Sequence, residues 1–121
     1  MELTLQSIKS GLFIKNYENH SLYVGDEIYR NNVLMTSTAV ENWSFNGKNN
    51  LDVNNFQHVF SYKPEIIILG TGENLIIPTS RIINDIQNQG IGFEFMITES
   101  ACKTFNLLVS ENRKVAAALV L

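Results

Sequence analysis

Short apolar clusters at strand spacing fill the first third of the chain, and apolar stripes at helical spacing alternate with β-branched runs in the remainder. From Gly11 to Thr38, Leu12-Phe13-Ile14, Leu22-Tyr23-Val24, Ile28-Tyr29 and Val33-Leu34-Met35 are separated by turn residues, which predicts short strands. Asn31-Asn32 stands between the last two. Because Asn tolerates positive φ, that pair predicts a two-residue hairpin turn. This half of the chain reads as antiparallel ribbons.

Val40 to Phe45 follows, with Trp43 as an expected core anchor, and then an Asn/Gly-rich turn. Val53, Phe56, Val59 and Phe60 share one side of a helix that Asp52 or Asn50 can cap and Lys63-Pro64 ends. Ile66 to Leu69 is a continuous aliphatic run, β-branched at its three isoleucines, suited to a strand covered on both faces. Pro78-Thr79-Ser80 starts a helix, Ile82, Ile83 and Ile86 form its apolar stripe, and Gly90 is placed to end it at C′. A second buried strand is expected from Ile91 to Ile97. Thr98 is then the expected N-cap of a helix, with Glu99 in its first turn near the positive dipole end.

At 100° per residue, Ala101, Cys102, Phe105, Leu108 and Val109 of that helix group on one side. Asn106 falls on the flank of this stripe, so its amide needs partners. Asn112 suits a left-handed turn before the last strand, Lys114 to Leu121, whose alanines let a helix approach closely. Strand, helix, strand, helix, strand from Glu65 onward predicts βαβ crossovers, with the direction of the last strand left open. The prediction is one mixed α/β domain over residues 1–121: antiparallel N-terminal ribbons plus a C-terminal βαβαβ-like half with helices packed on the sheet.

Composition narrows the function. A chain of 121 residues with 45% hydrophobic content can fill one core without disulfides, and a lone Cys102 points to a reducing, cytoplasmic setting. Nine Lys+Arg against twelve Asp+Glu are scattered, which argues against nucleic acid as a partner. No apolar run approaches the roughly 20 residues of a transmembrane helix, and no basic region with an apolar stretch opens the chain.

Candidate chemistry centres on two loops. Gly70-Thr71-Gly72 follows a strand, but the third glycine of a dinucleotide fingerprint is Leu75, and Ile76-Ile77-Pro78 delays the helix that would face a pyrophosphate. No Gly-Lys-Ser/Thr follows, so a P-loop is excluded. A glycine turn shaping a strand end is one reading, and a backbone-lined ligand pocket is the other. If neighbouring strands carry these loops, Thr71, Thr98, Cys102 and Asn106 line one shallow cleft, with Arg113 able to bind an anion or cap a turn. Cys102 near a helix N-terminus invites a nucleophile test, yet its place on the apolar face reads as core. His20 and His58 match no metal spacing. Glu94 alternates with Phe93 and Phe95, consistent with an edge or a salt bridge to Arg113 or Lys114. No cofactor and no complete catalytic set is read.

Leu69-Gly70-Thr71-Gly72, Gly90-Ile91, Thr98, Ala101-Cys102, Thr104-Phe105-Asn106 and Arg113 to Leu119 together resemble a family of small α/β proteins. That family includes mitochondrial complex I assembly factor 3 and the adipogenesis-associated domain protein. The resemblance implies a single-domain fold with helices packed on one side of antiparallel sheets, no known enzymatic activity, and a role through protein contacts. Phe105 stands where relatives commonly have Tyr, and Asn112 where Gly is common.

Two functions follow as expectations. One is a non-enzymatic accessory or assembly protein with a protein partner, contacted through a sheet edge or through Tyr17, Tyr23 and Tyr29; an unpaired ribbon edge also admits a homodimer. The alternative is a small-molecule or anion-binding protein, weakly catalytic at most, whose pocket is formed by Gly70, Thr71, Gly72, Thr98, Cys102, Asn106 and Arg113.

Overall fold

A computed structural model describes residues 12–45 and 51–121. The ribbons form a three-stranded antiparallel sheet, β1 (Ile14–Glu18), β2 (Ser21–Val24) and β3 (Glu27–Tyr29), in that order. Its two hairpins close in two residues each. Asn19 and His20 both take positive φ, as a primed turn demands, and Gly25 does so in the second turn.

The expected hairpin at Asn31-Asn32 does not form. β3 ends one sheet, and the next strand, β4 (Val33–Thr36), joins another, so the pair bridges two sheets. Asn32 works as a polar clasp there: its amide donates to Phe45 O at 2.8 Å and accepts from Leu121 N at 2.8 Å.

The second sheet has five strands in the order β5-β4-β8-β6-β7, where β5 is Val40–Asn42, β6 Ile66–Gly70, β7 Gly92–Met96 and β8 Val115–Leu119. β4 runs antiparallel to β5 and β8, while β6 is parallel to both β7 and β8. The last strand is therefore parallel, and both C-terminal links are βαβ crossovers. Asn112 makes the turn into β8 with φ 62°.

Because β7 and β8 are added on opposite sides of β6, crossovers of one hand place their helices on opposite faces of the sheet. The expectation of helices on one side is thereby corrected. Helix α3 (Thr98–Ser110) packs Ala101, Cys102 and Phe105 against Ile68, Val115, Ala117 and Leu119, and the three-stranded sheet completes that core with Ile14, Leu22 and Val24. On the other face lie a 3-10 turn (Val53–Phe56) leading into the single-turn helix α1 (Gln57–Phe60), and helix α2 (Ser80–Gln87). There Trp43, Phe56, Ile82 and Ile86 pack on Ile67, Leu69, Ala116 and Ala118. Alternation along β8 thus gives alanine to both faces, and the strand lies wholly buried between two helical layers.

Local chemistry explains the element ends. Asp52 accepts from Asn54 N while the Asn55 amide takes the Asp52 N–H, a reciprocal cap on the 3-10 turn. Asn50 and the turn before it lie outside the described residues. Thr79 caps α2 through Ile82 N. Gly90 has φ 79° but falls one position beyond the expected C′, since Asn88 is the C-cap. The strand from Ile91 is an edge rather than a buried interior strand: Phe93 is buried, whereas Gly92 and Glu94 are exposed.

The two sheets are tied by Asn106. Its Oδ1 accepts from Ile14 N at 2.9 Å and its Nδ2 donates to Ile14 O at 2.8 Å, so one side chain satisfies β1 as a neighbouring strand would. Asn106→Ala orphans a buried N–H and a buried C=O, and is expected to lower unfolding free energy by about 2–4 kcal/mol in a urea titration.

Candidate functional site

β6 and β7 are adjacent and parallel, and the connections that leave them pass to opposite faces of the sheet. Their carboxyl ends therefore mark a topological switch point, the place where open α/β sheets receive ligands. Gly70-Thr71-Gly72 leaves one strand there and Met96-Ile97-Thr98 leaves the other.

In this protein the point is stitched shut. Thr71 N donates to Met96 O at 2.8 Å and Thr98 N to Gly72 O at 3.0 Å. The Thr98 hydroxyl accepts from Gly72 N at 2.8 Å and donates to Val120 O at 2.6 Å, joining the ends of β6 and β8 to the start of α3. Thr98 is therefore not the N-cap it was expected to be. Ile97 occupies that position without a side-chain cap, and the threonine hydroxyl turns toward the strands. Gly70 is required by the same geometry: a Cβ there would sit 2.8 Å from Thr98 Oγ1 and 3.1 Å from Thr98 Cα. Gly72 has φ 99°, a conformation that favours glycine.

The seven candidate residues do not share one cleft. Gly70, Thr71, Gly72 and Thr98 do meet. Cys102 lies one turn into α3, fully buried, where desolvation first and Glu99 second push its thiol up to about 12. Asn106 is one turn further on and bonded to Ile14. Arg113 lies at the opposite end of the sheet, where its Nε donates to Glu65 at 3.2 Å. Glu65 also accepts from Lys114 N, and these bonds, the backbone one foremost, hold its carboxyl below the ordinary range. Glu94 meets neither basic residue in this arrangement: Arg113 pairs with Glu65, and Lys114 Nζ lies 4.8 Å from the Tyr62 ring centroid.

Outside the stitched point is an open cleft of about 280 Å³ that the sequence did not reveal. Tyr17, Glu18, Asn19, His20, Gly72, Glu73, Ile97 and Glu99 line it. His20 spans it, with Nδ1 2.8 Å from Leu121 O and Nε2 3.2 Å from Glu73 Oε1. Lys103 reaches Glu99 at 3.8 Å and Asn16 donates to Glu18. The lining brings together residues far apart in sequence, from the first hairpin turn, the β6 loop and the first turn of α3. Tyr17, expected at a contact surface, is instead core: only 8% is exposed, and its hydroxyl is raised above 10.0 mainly by burial. His58 is exposed on α1 beside Glu41. Among the described residues, no group of three or more His, Cys, Asp or Glu side chains is placed to hold a metal ion.

Residues 14–120 match the model of the protein family of unknown function DUF498/DUF598. The chain belongs to that family. It is 30% identical to the "13 kDa major membrane protein" of Francisella tularensis subsp. holarctica, over 99% of both chains. It is 27% identical to NADH dehydrogenase [ubiquinone] 1 alpha subcomplex assembly factor 3 of Xenopus tropicalis, covering 90% of this chain and 61% of that one. The fold matches a crystal structure from Bordetella parapertussis with a TM-score of 0.85 at 21% identity, over 94% of this chain and 98% of that one. The resemblance to complex I assembly factor 3, read from the Gly70 and Thr98 segments, thus extends along nearly the whole DUF498/DUF598 chain. Among the described residues, no helix is long and apolar enough to cross a membrane.

Two outcomes test these placements. Gly70→Ala forces backbone apart at Thr98 and is expected to destabilise the protein by roughly 1–3 kcal/mol, read from chemical denaturation. Cys102 should resist iodoacetamide in the folded protein at pH 8 and react fully in urea, as intact mass will show. Its raised value also sets a sign: the folded state favours the thiol, so this contribution is whole below the ordinary value of 9.0 and is lost as pH rises toward about 12.

Proposed function

We propose that this DUF498/DUF598 protein is a non-enzymatic accessory protein that acts through protein–protein contacts, a reading prompted by relatives that are named assembly factors. The observation that carries the reading is the alignment of most such relatives along 90% or more of this chain. Because the chain spans about three fifths of the Xenopus relative's length, the identity of the assembly it serves is part of the proposal. The geometry supports it from a second direction. The polar groups at the switch point, Thr71, Gly72 and Thr98, direct their hydrogen bonds to Asn74, Met96, Val120 and one another, a structural use of atoms that a ligand would otherwise engage. The cytoplasm is kept as the proposed compartment, and a cofactor forms no part of the reading.

The open cleft favours a second reading, a small-molecule site. Three glutamates against one histidine in its lining suit an amine or other cation better than the anion first considered.

The deciding experiment is affinity capture with the full chain from native extract, alongside native mass spectrometry of the purified protein. A protein retained in fixed stoichiometry supports the accessory reading. A small mass carried on an otherwise partnerless chain replaces it with the cleft.

A further inference from the structure

Leu75, Ile76 and Ile77 are 54%, 62% and 70% exposed, three consecutive large apolar side chains in water. They occupy the connection between β6 and α2, and that connection is built rather than slack. The Thr71 hydroxyl donates to Asn74 O at 2.7 Å and accepts from Ile76 N at 3.2 Å. Pro78 then fixes φ, and Thr79 caps α2. Both ends of the run are pinned, so the side chains are held outward at low entropic cost to a binding partner. Leu75, Ile76 and Ile77 join neither apolar core, although Ile82 nearby in sequence does.

The surroundings select the occupant. Glu73 begins the run with its side chain 70% exposed, and it shares the adjoining cleft with Glu18 and Glu99. Lys103 beside Glu99 offsets part of this charge, His20 Nε2 lies 3.2 Å from Glu73 Oε1, and Arg81 beyond the run reaches Asp85 at 3.9 Å. An anionic lipid surface meets acidic residues beside the apolar run, as does a second copy of the chain placed face to face. Resting on the accessory reading, we infer that Leu75-Ile76-Ile77 is a preformed hook that seats in an apolar groove of a partner protein, whose basic side chains border the groove and face Glu73 and Glu18. Apolar burial supplies the attachment and opposite charge supplies the orientation.

The test uses the full chain with p-benzoylphenylalanine in place of Ile76 or, as a control, of exposed Leu107 on α3, irradiated in native extract that includes detergent-solubilised membranes. One protein should crosslink from position 76 and not from 107. Once purified, that protein should bind the unsubstituted chain at least tenfold more tightly than the Ile76→Asp/Ile77→Asp chain, and Glu73→Lys should also weaken it. An unchanged melting curve shows that the substituted chain is folded. If the captured protein binds both chains equally, the hook is overturned and the accessory reading stands; if no protein is captured by either, both fall. Co-flotation of the unsubstituted chain with phosphatidylcholine/phosphatidylglycerol vesicles overturns the inference in favour of a bilayer. A dimer abolished by the same two substitutions overturns it in favour of a second copy.

Discussion

The hydroxyl of Thr98 holds the carboxyl ends of the central strands in one place. It accepts from Gly72 and donates to Val120 while fully buried, so both of its bonds form away from competing water. A side chain with one donor and acceptor lone pairs is needed, and it must come within van der Waals reach of β6, which only glycine at position 70 allows. These two residues constrain each other: the close approach excludes a Cβ, and the bonds it permits seal the crevice. In α/β folds that bind nucleotides the corresponding loop exposes backbone N–H groups and leads straight into a helix. Here one of those N–H groups is taken by Thr98, and α2 begins only at Ser80, after a connection without helix or strand.

The second constraint is the join between the sheets. A three-stranded sheet this small needs further packing for stability, and its hydrophobic side rests on α3. Apolar contact alone leaves the Ile14 peptide groups unpaired where β1 ends against a helix that cannot supply backbone partners. Asn106 resolves this, since a carboxamide carries the same donor and acceptor as a peptide and presents both to Ile14. Pairing Ile14 this way also closes part of the β1 edge, where exposed groups would invite another strand.

Local patterns made much of this legible. The aliphatic run Ile66–Leu69, the stripe of α2, the Asp52 cap and the left-handed Asn112 each depend on residues within a few positions, and each is found where the pattern places it. Asn106 was readable as an amide in need of partners, though Ile14 lies 92 positions away and nothing local names it. The failures share a cause. Thr98-Glu99 before an apolar stripe has the same signature whether the hydroxyl caps its own helix or turns to a neighbouring strand. Asn31-Asn32 looks like a hairpin because turn chemistry does not say whether the following strand returns to the same sheet. Arg113 follows the helix bearing Cys102 closely in sequence, but that helix carries the chain to the far end of the sheet, so nearness in sequence placed it in a cleft that geometry denies it.

Leu75-Ile76-Ile77 shows the limit from the other side. An apolar run in sequence ordinarily signals a core strand, and only the fold reveals that this one is exposed between two pinned ends. Its setting follows from the sealing of the switch point: the chain leaving β6 is fixed at Gly72 by Thr98 and at Asn74 and Ile76 by Thr71, and the next helix waits until Ser80. The intervening residues must cross open surface. Asn, Ser and Gly would cross it without exposing apolar area, so three large aliphatic residues there are not demanded by the fold. In folded proteins, connections carried on a rigid frame are where binding residues concentrate.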